Sequence, residues 1–92
     1  MRLKYDTEAD VLDIRIAEGI VARTEEIGPG TLVDVNGRGT LLSIEVLRPE
    51  RPWPLEEILA RFGMSDEDAE VLRSIRGKSV RFTLSAPPLV PA

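Results

Sequence analysis

The chain has no cysteine and no histidine among its 92 residues. Without cysteine there are no disulfides, no thiolate nucleophile and no thiolate-ligated zinc site. Without histidine there is no Ser-His-Asp or Cys-His catalysis, no imidazole base and none of the commonest metal ligand. Glutamine is also absent, Asn36 is the only asparagine, and ten of the twelve cations are arginine. Few thermolabile amides beside seven prolines suit a thermophilic host. No apolar run approaches the roughly 18 residues that a membrane helix needs, and "MRLKYDTEAD" lacks the apolar core of a signal peptide. A cytoplasmic protein without a membrane partner is the expectation.

Positive charge is scarce too. Net charge is −4, with ten acids against six bases in residues 1–50 and six of each in residues 51–92. Neither half carries the basic footprint that nucleic acid usually requires, so nucleic-acid binding is not expected. No glycine cluster forms a GxGxxG or Walker-type loop, and no cofactor is implied.

What remains is an ordinary globular composition, 42% hydrophobic and 30% charged, sized for a single domain. Period-two alternation predicts strands at "RLKYD" (2–6), "VLDIRIA" (11–17), "TLVDV" (31–35) and "TLLSIEVL" (40–47). A fifth, edge-like strand falls in "IVARTEEI" (20–27). "GPG" (28–30) reads as a type II turn, with Pro29 presetting the first central position and Gly30 taking positive φ at the second. Asn36-Gly37 marks a hairpin, with Gly39 available for a bulge.

The proline-rich "RPERPWP" (48–54) then separates strands from helices. "PLEEILARFG" predicts a short helix, with Pro54 in its first position and Leu55, Ile58, Leu59 and Phe62 on one stripe. A second helix follows, capped by Ser65 with Asp68 and ended by Gly77. "KSVRFTL" (78–84) predicts a last strand, and residues 87–92 a tail. The expectation is one α+β domain over residues 1–86: an antiparallel β-meander of about five strands (1–47), a helical hairpin (54–76) on one face, and a C-terminal strand (78–84).

Three constellations could carry function. Asp6, Glu8 and Asp10 have the spacing that opens a calcium loop, but Val11 replaces the required glycine and Ala17 the closing glutamate. The metal reading fails there, and Asp6 and Asp10 are expected to serve a turn. Residues 58–75, "ILARFGMSDEDAEVLRSI", resemble a helix-turn-helix, with Gly63, Met64 and Ser65 in the turn. Its would-be recognition helix opens on Asp66, Glu67 and Asp68, where phosphates would meet repulsion. Trp53, between two prolines, could anchor a partner or plug the gap between helices and sheet. Leu41, Leu47 and Val21 fall on the far face of their strands and mark a candidate homodimer surface.

"YDTEADVLDIRI" with "VARTEEIGPGTLVDVNGRGTLLSIEVL" resembles a small prokaryotic family, domain of unknown function 2283. The residues that carry the likeness are Tyr5, Asp6, Glu8, Ala9, Asp10, Leu12, Ile14, Glu26, Gly28, Pro29, Gly30, Asp34, Gly39, Ile44, Glu45, Val46 and Leu47. The family brings no established activity or catalytic residues. Some members are encoded beside small ribonuclease-type toxins, which implies an antitoxin-like or partner-binding role. The expected function is therefore a non-enzymatic protein-interaction module, with a protein partner or a homodimer. The signature or interaction residues would be Tyr5, Asp6, Glu8, Asp10, Asp34, Glu45 and Trp53. A DNA-binding regulator acting through residues 58–75 is the alternative, and a carboxylate-dependent enzyme the more distant one.

Overall fold

The computed structural model describes residues 1–76. The expected last strand at 78–84 and the tail at 87–92 lie outside the described residues. Five strands form one sheet: β1 (Arg2–Asp6), β2 (Val11–Arg15), β3 (Arg23–Glu26), β4 (Thr31–Val35) and β5 (Leu41–Leu47). Helices α1 (Leu55–Phe62) and α2 (Asp66–Arg76) follow, so the fold is α+β.

Every neighbouring strand pair is antiparallel, in the order β1-β2-β5-β4-β3. Three of the four pairings are local hairpins. The fourth brings β5 back beside β2, so residues 16–22 must cross from the middle of the sheet to its far edge. The backbone fixes that crossing: the Ile16 and Ala17 N–H groups both donate to the Leu42 carbonyl, and Ala22 N–H donates to Val35. Gly19 lies over the buried Leu42, where an added Cβ would stand 3.0 Å from Leu42 Cδ2. Gly19 thus lies within the crossing, after β2 has ended at Arg15, where a side chain would press on Leu42.

The turns follow the glycines. Gly30 takes φ +80°, as the GPG turn requires. In the β4–β5 connection the left-handed residue is Gly39 (φ +82°). The Asn36 side chain holds the loop by accepting from the N–H groups of Arg38 and Thr40, each at 2.9 Å. This is an Asx-stabilised loop of five residues, 36–40, between the two strands.

Alternation sorts the two faces. On one, Leu12, Ile14, Val33, Ile44 and Val46 are fully buried beneath Leu55, Ile58, Leu72 and Ile75 from the helices. A register shift between Asp34 and Val35 pairs Val35 with Leu41. It corrects one expectation: Leu41 turns into the core beside Val35 instead of facing outward with Leu47. A bulge adds one residue to a strand and so reverses the side on which later residues fall. Leu47 and Val21 do remain exposed.

The helices are closed by local devices. Pro54 sits at the cap of α1, one place before the first helical residue, and Gly63 ends α1 at φ +74°. Ser65 Oγ accepts from Asp68 N–H at 3.1 Å, which caps α2. Arg73 forms a two-pronged contact with Glu56 at 2.8 and 3.0 Å, joining α2 to α1. The hydrogen bonds from Arg73, with the nearby Arg76 charge, hold the Glu56 carboxyl below its ordinary range. Glu25 on β3 is lowered likewise by hydrogen bonds from Arg23 and Arg61, the second tying α1 to the sheet edge.

Candidate functional site

The β1–β2 turn displays its carboxylates in three different states. Asp6 Oδ1 accepts from the N–H groups of Glu8 (3.0 Å) and Ala9 (3.1 Å), closing the turn on itself. Asp10 adopts φ +56°, a left-handed conformation that aspartate tolerates better than most residues. The Tyr5 hydroxyl donates to Asp10 Oδ1 at 2.5 Å across the hairpin, and the Asp10 carbonyl accepts from Arg48 N–H at 2.8 Å. Glu8 stands exposed at the tip. Asp6 and Asp10 are thus each committed to backbone geometry.

Asp34 is committed as well. Its Oδ1 accepts from Thr24 Oγ1 at 2.5 Å and its Oδ2 from Ser43 Oγ at 2.8 Å. These three residues lie in register across β3, β4 and β5, so one carboxylate ties three strands together. Ser43 is buried, which gives the bond a partly dehydrated setting. Sequence reading picked out Asp34 but missed its partners. The usable signal was that Thr24 and Ser43 occupy the same face as Asp34.

The face opposite the helices is open. In register across it run Lys4, Asp13, Glu45, Leu32 and Glu26, flanked by the row Arg2, Arg15, Ser43, Asp34 and Thr24. Glu45, a signature position, is exposed at its centre, and Asp13 is exposed beside it. A shallow depression of about 320 Å³ lies among Lys4, Asp6, Val11, Asp13 and Glu45. Lys4 is set directly across from Asp13, so the depression carries mixed charge with acids in excess. Among the described residues no group of three acidic side chains is placed to hold a metal ion. No described helix is long and apolar enough to cross a membrane.

Trp53 does not stand out from the surface. It is 6% exposed and packs within the core cluster with Leu55 and Ile58, filling the join between sheet and helices. An aromatic there covers the end of the apolar layer where the chain turns from β5 into α1. Of the signature residues, Asp6, Asp34 and Glu45 share the open face. Tyr5 lies on the covered face, Glu8 and Asp10 in the turn, and Trp53 in the core.

No curated protein and no solved structure is detectably similar to this chain. A family profile does match, over residues 2–48, which is about half the chain and runs from β1 through β5. The sheet with its hairpins and polar open face is therefore the family unit, and the chain belongs to the family described as Protein of unknown function (DUF2283).

Proposed function

We propose that this protein is a non-enzymatic protein-interaction module that receives a small basic partner, antitoxin-like, on the open face of its sheet. The observation that carries the reading is the charge on that face. Asp6, Asp13, Glu26, Asp34 and Glu45 stand there against Arg2, Lys4 and Arg15. A broad acidic surface on a rigid sheet suits a basic partner, because complementary potential speeds encounter and rejects wrong partners. The shallow relief of the depression suits a protein surface better than a small substrate. The test is co-purification from the native host with wild-type chain and an Asp13→Lys/Glu45→Lys double variant. A strongly basic protein retained by the wild type and lost by the variant supports the reading. Retention of the same protein by both sinks it, as does the absence of any basic partner.

The helix-turn-helix alternative draws on the Ser65-capped hairpin of α1 and α2. Two features weigh against it: Asp66, Glu67 and Asp68 fill the first turn of α2, and Arg73 and Arg76 both lie against Glu56. An enzymatic role is weaker still, since Asp6, Asp10 and Asp34 already serve as structural acceptors.

A further inference from the structure

We propose that the cleft between the Gly28–Gly30 turn, the end of β5 and residues 48–53 binds a small organic anion: a carboxylate or phosphate ester on an apolar body. The cleft encloses about 610 Å³, within the range of small-molecule sites. Arg48 and Arg51, two residues that carry guanidinium groups, both line it in a chain of net charge −4. Among the described residues neither makes an ion pair. By contrast, Arg2, Arg15, Arg23, Arg61, Arg73 and Arg76 each pair with a glutamate. Glu50, the acid between them in sequence, does not line the cleft.

Two further groups ask for the same ligand chemistry. Trp53 Nε1 and Thr31 Oγ1 are buried with no hydrogen-bond partner among the described residues, and both residues line the cleft. Buried polar atoms rarely go unpaired, and an indole N–H can only donate. Two guanidinium groups and two unpaired hydroxyl or indole donors together fit an acceptor-rich anion. Arginine binds carboxylate or phosphate through paired N–H contacts. Pro29, Pro52 and the exposed Leu47 supply the apolar wall. The two buried atoms are covered, so reaching them requires the indole to tilt. Trp53 is the chain's single tryptophan, which makes its fluorescence the readout. The site stands independently of the partner surface proposed above.

Titrating the full chain with benzoate and with phenyl phosphate, by Trp53 fluorescence and by calorimetry, tests the assignment. Saturable binding of at least one probe is expected, and the preferred probe separates carboxylate from phosphate. Arg51→Gln and Arg48→Gly should each weaken it about tenfold, as loss of a charged hydrogen-bond donor does. Glycine is chosen at position 48 because Arg48 holds φ +54°, which glycine adopts freely. Arg38→Gln, in the hairpin at the other end of β4 and β5, should leave binding unchanged. No saturable signal by either method overturns the proposal. So does an Arg51→Gln variant, folded by circular dichroism, that binds as wild type does.

Discussion

Replacing Asp34 by alanine should cost stability rather than abolish a chemical step. Asp34 accepts from Ser43 Oγ at 2.8 Å and from Thr24 Oγ1 at 2.5 Å, and Ser43 is about 5% exposed. A hydrogen bond to a charged group contributes about 1.5–3 kcal/mol net, and a buried donor left unpaired keeps its desolvation cost. Thr24 is exposed, so water can replace its bond and little is lost there. The expected loss is about 2 kcal/mol, most of it through Ser43. Urea unfolding followed by Trp53 fluorescence measures it. With a slope near 1 kcal/mol per molar, the midpoint should fall by about 2 M. A double-mutant cycle with Ser43→Ala isolates the pair, with an expected coupling of about 1 kcal/mol or more. A stability loss below about 0.5 kcal/mol, with no coupling, would refute the view that this carboxylate is a sheet fastener. It would return Asp34 to the pool of candidate functional groups.

Other outcomes test separate parts of the account. Leu72→Ala, at a fully buried helix position outside the family unit, should cost about 2–5 kcal/mol by chemical unfolding. A smaller loss would mean that α2 adds little to the domain. Asp6→Ala should lower the unfolding midpoint by removing the oxygen that accepts from two turn N–H groups, whereas Glu8→Ala at the exposed tip should not. Glu25 and Glu56 have carboxyl groups held below their ordinary range in the folded chain. Their contribution is complete above the unfolded carboxylate range and is lost as pH falls through the folded one. Acid unfolding of a Glu25→Gln/Glu56→Gln variant should therefore depend less on pH in that window; an unchanged slope counts against the ion pairs. Anisotropy with random duplex DNA at low salt should show no tight, steeply salt-dependent binding.

The sheet was legible in the sequence because its signals are local. Leu12 and Ile14 alternate with Asp13, Gly30 follows Pro29, and Asn36 stands at a hairpin, so each strand and turn announces itself within a few residues. Strand order is not local. Nothing between Ile16 and Ala22 states that β5 will return beside β2, because that choice is made by burial of Leu42, Ile44 and Val46 at the centre of the sheet. The register shift opposite Asp34/Val35, where the pairing passes over Leu42 of β5, was hidden for the same reason. It reverses Leu41 by one residue of register, a slip that composition cannot reveal. The carboxylates divide along this line. Asp6 could be read as a turn acceptor, since its partners Glu8 and Ala9 are two and three residues away. Asp34 could not, because Ser43 and Thr24 meet it only across paired strands. The Arg48–Arg51–Trp53 cleft is further from view again. It joins a turn at 28–30, a strand end at 47 and a proline-rich link, three segments that the sheet alone brings together. An acid in the signature is therefore weak evidence for chemistry until its partners are known. Two arginines and two buried donors, all without a partner among the described residues, are the stronger lead, although no motif marks them.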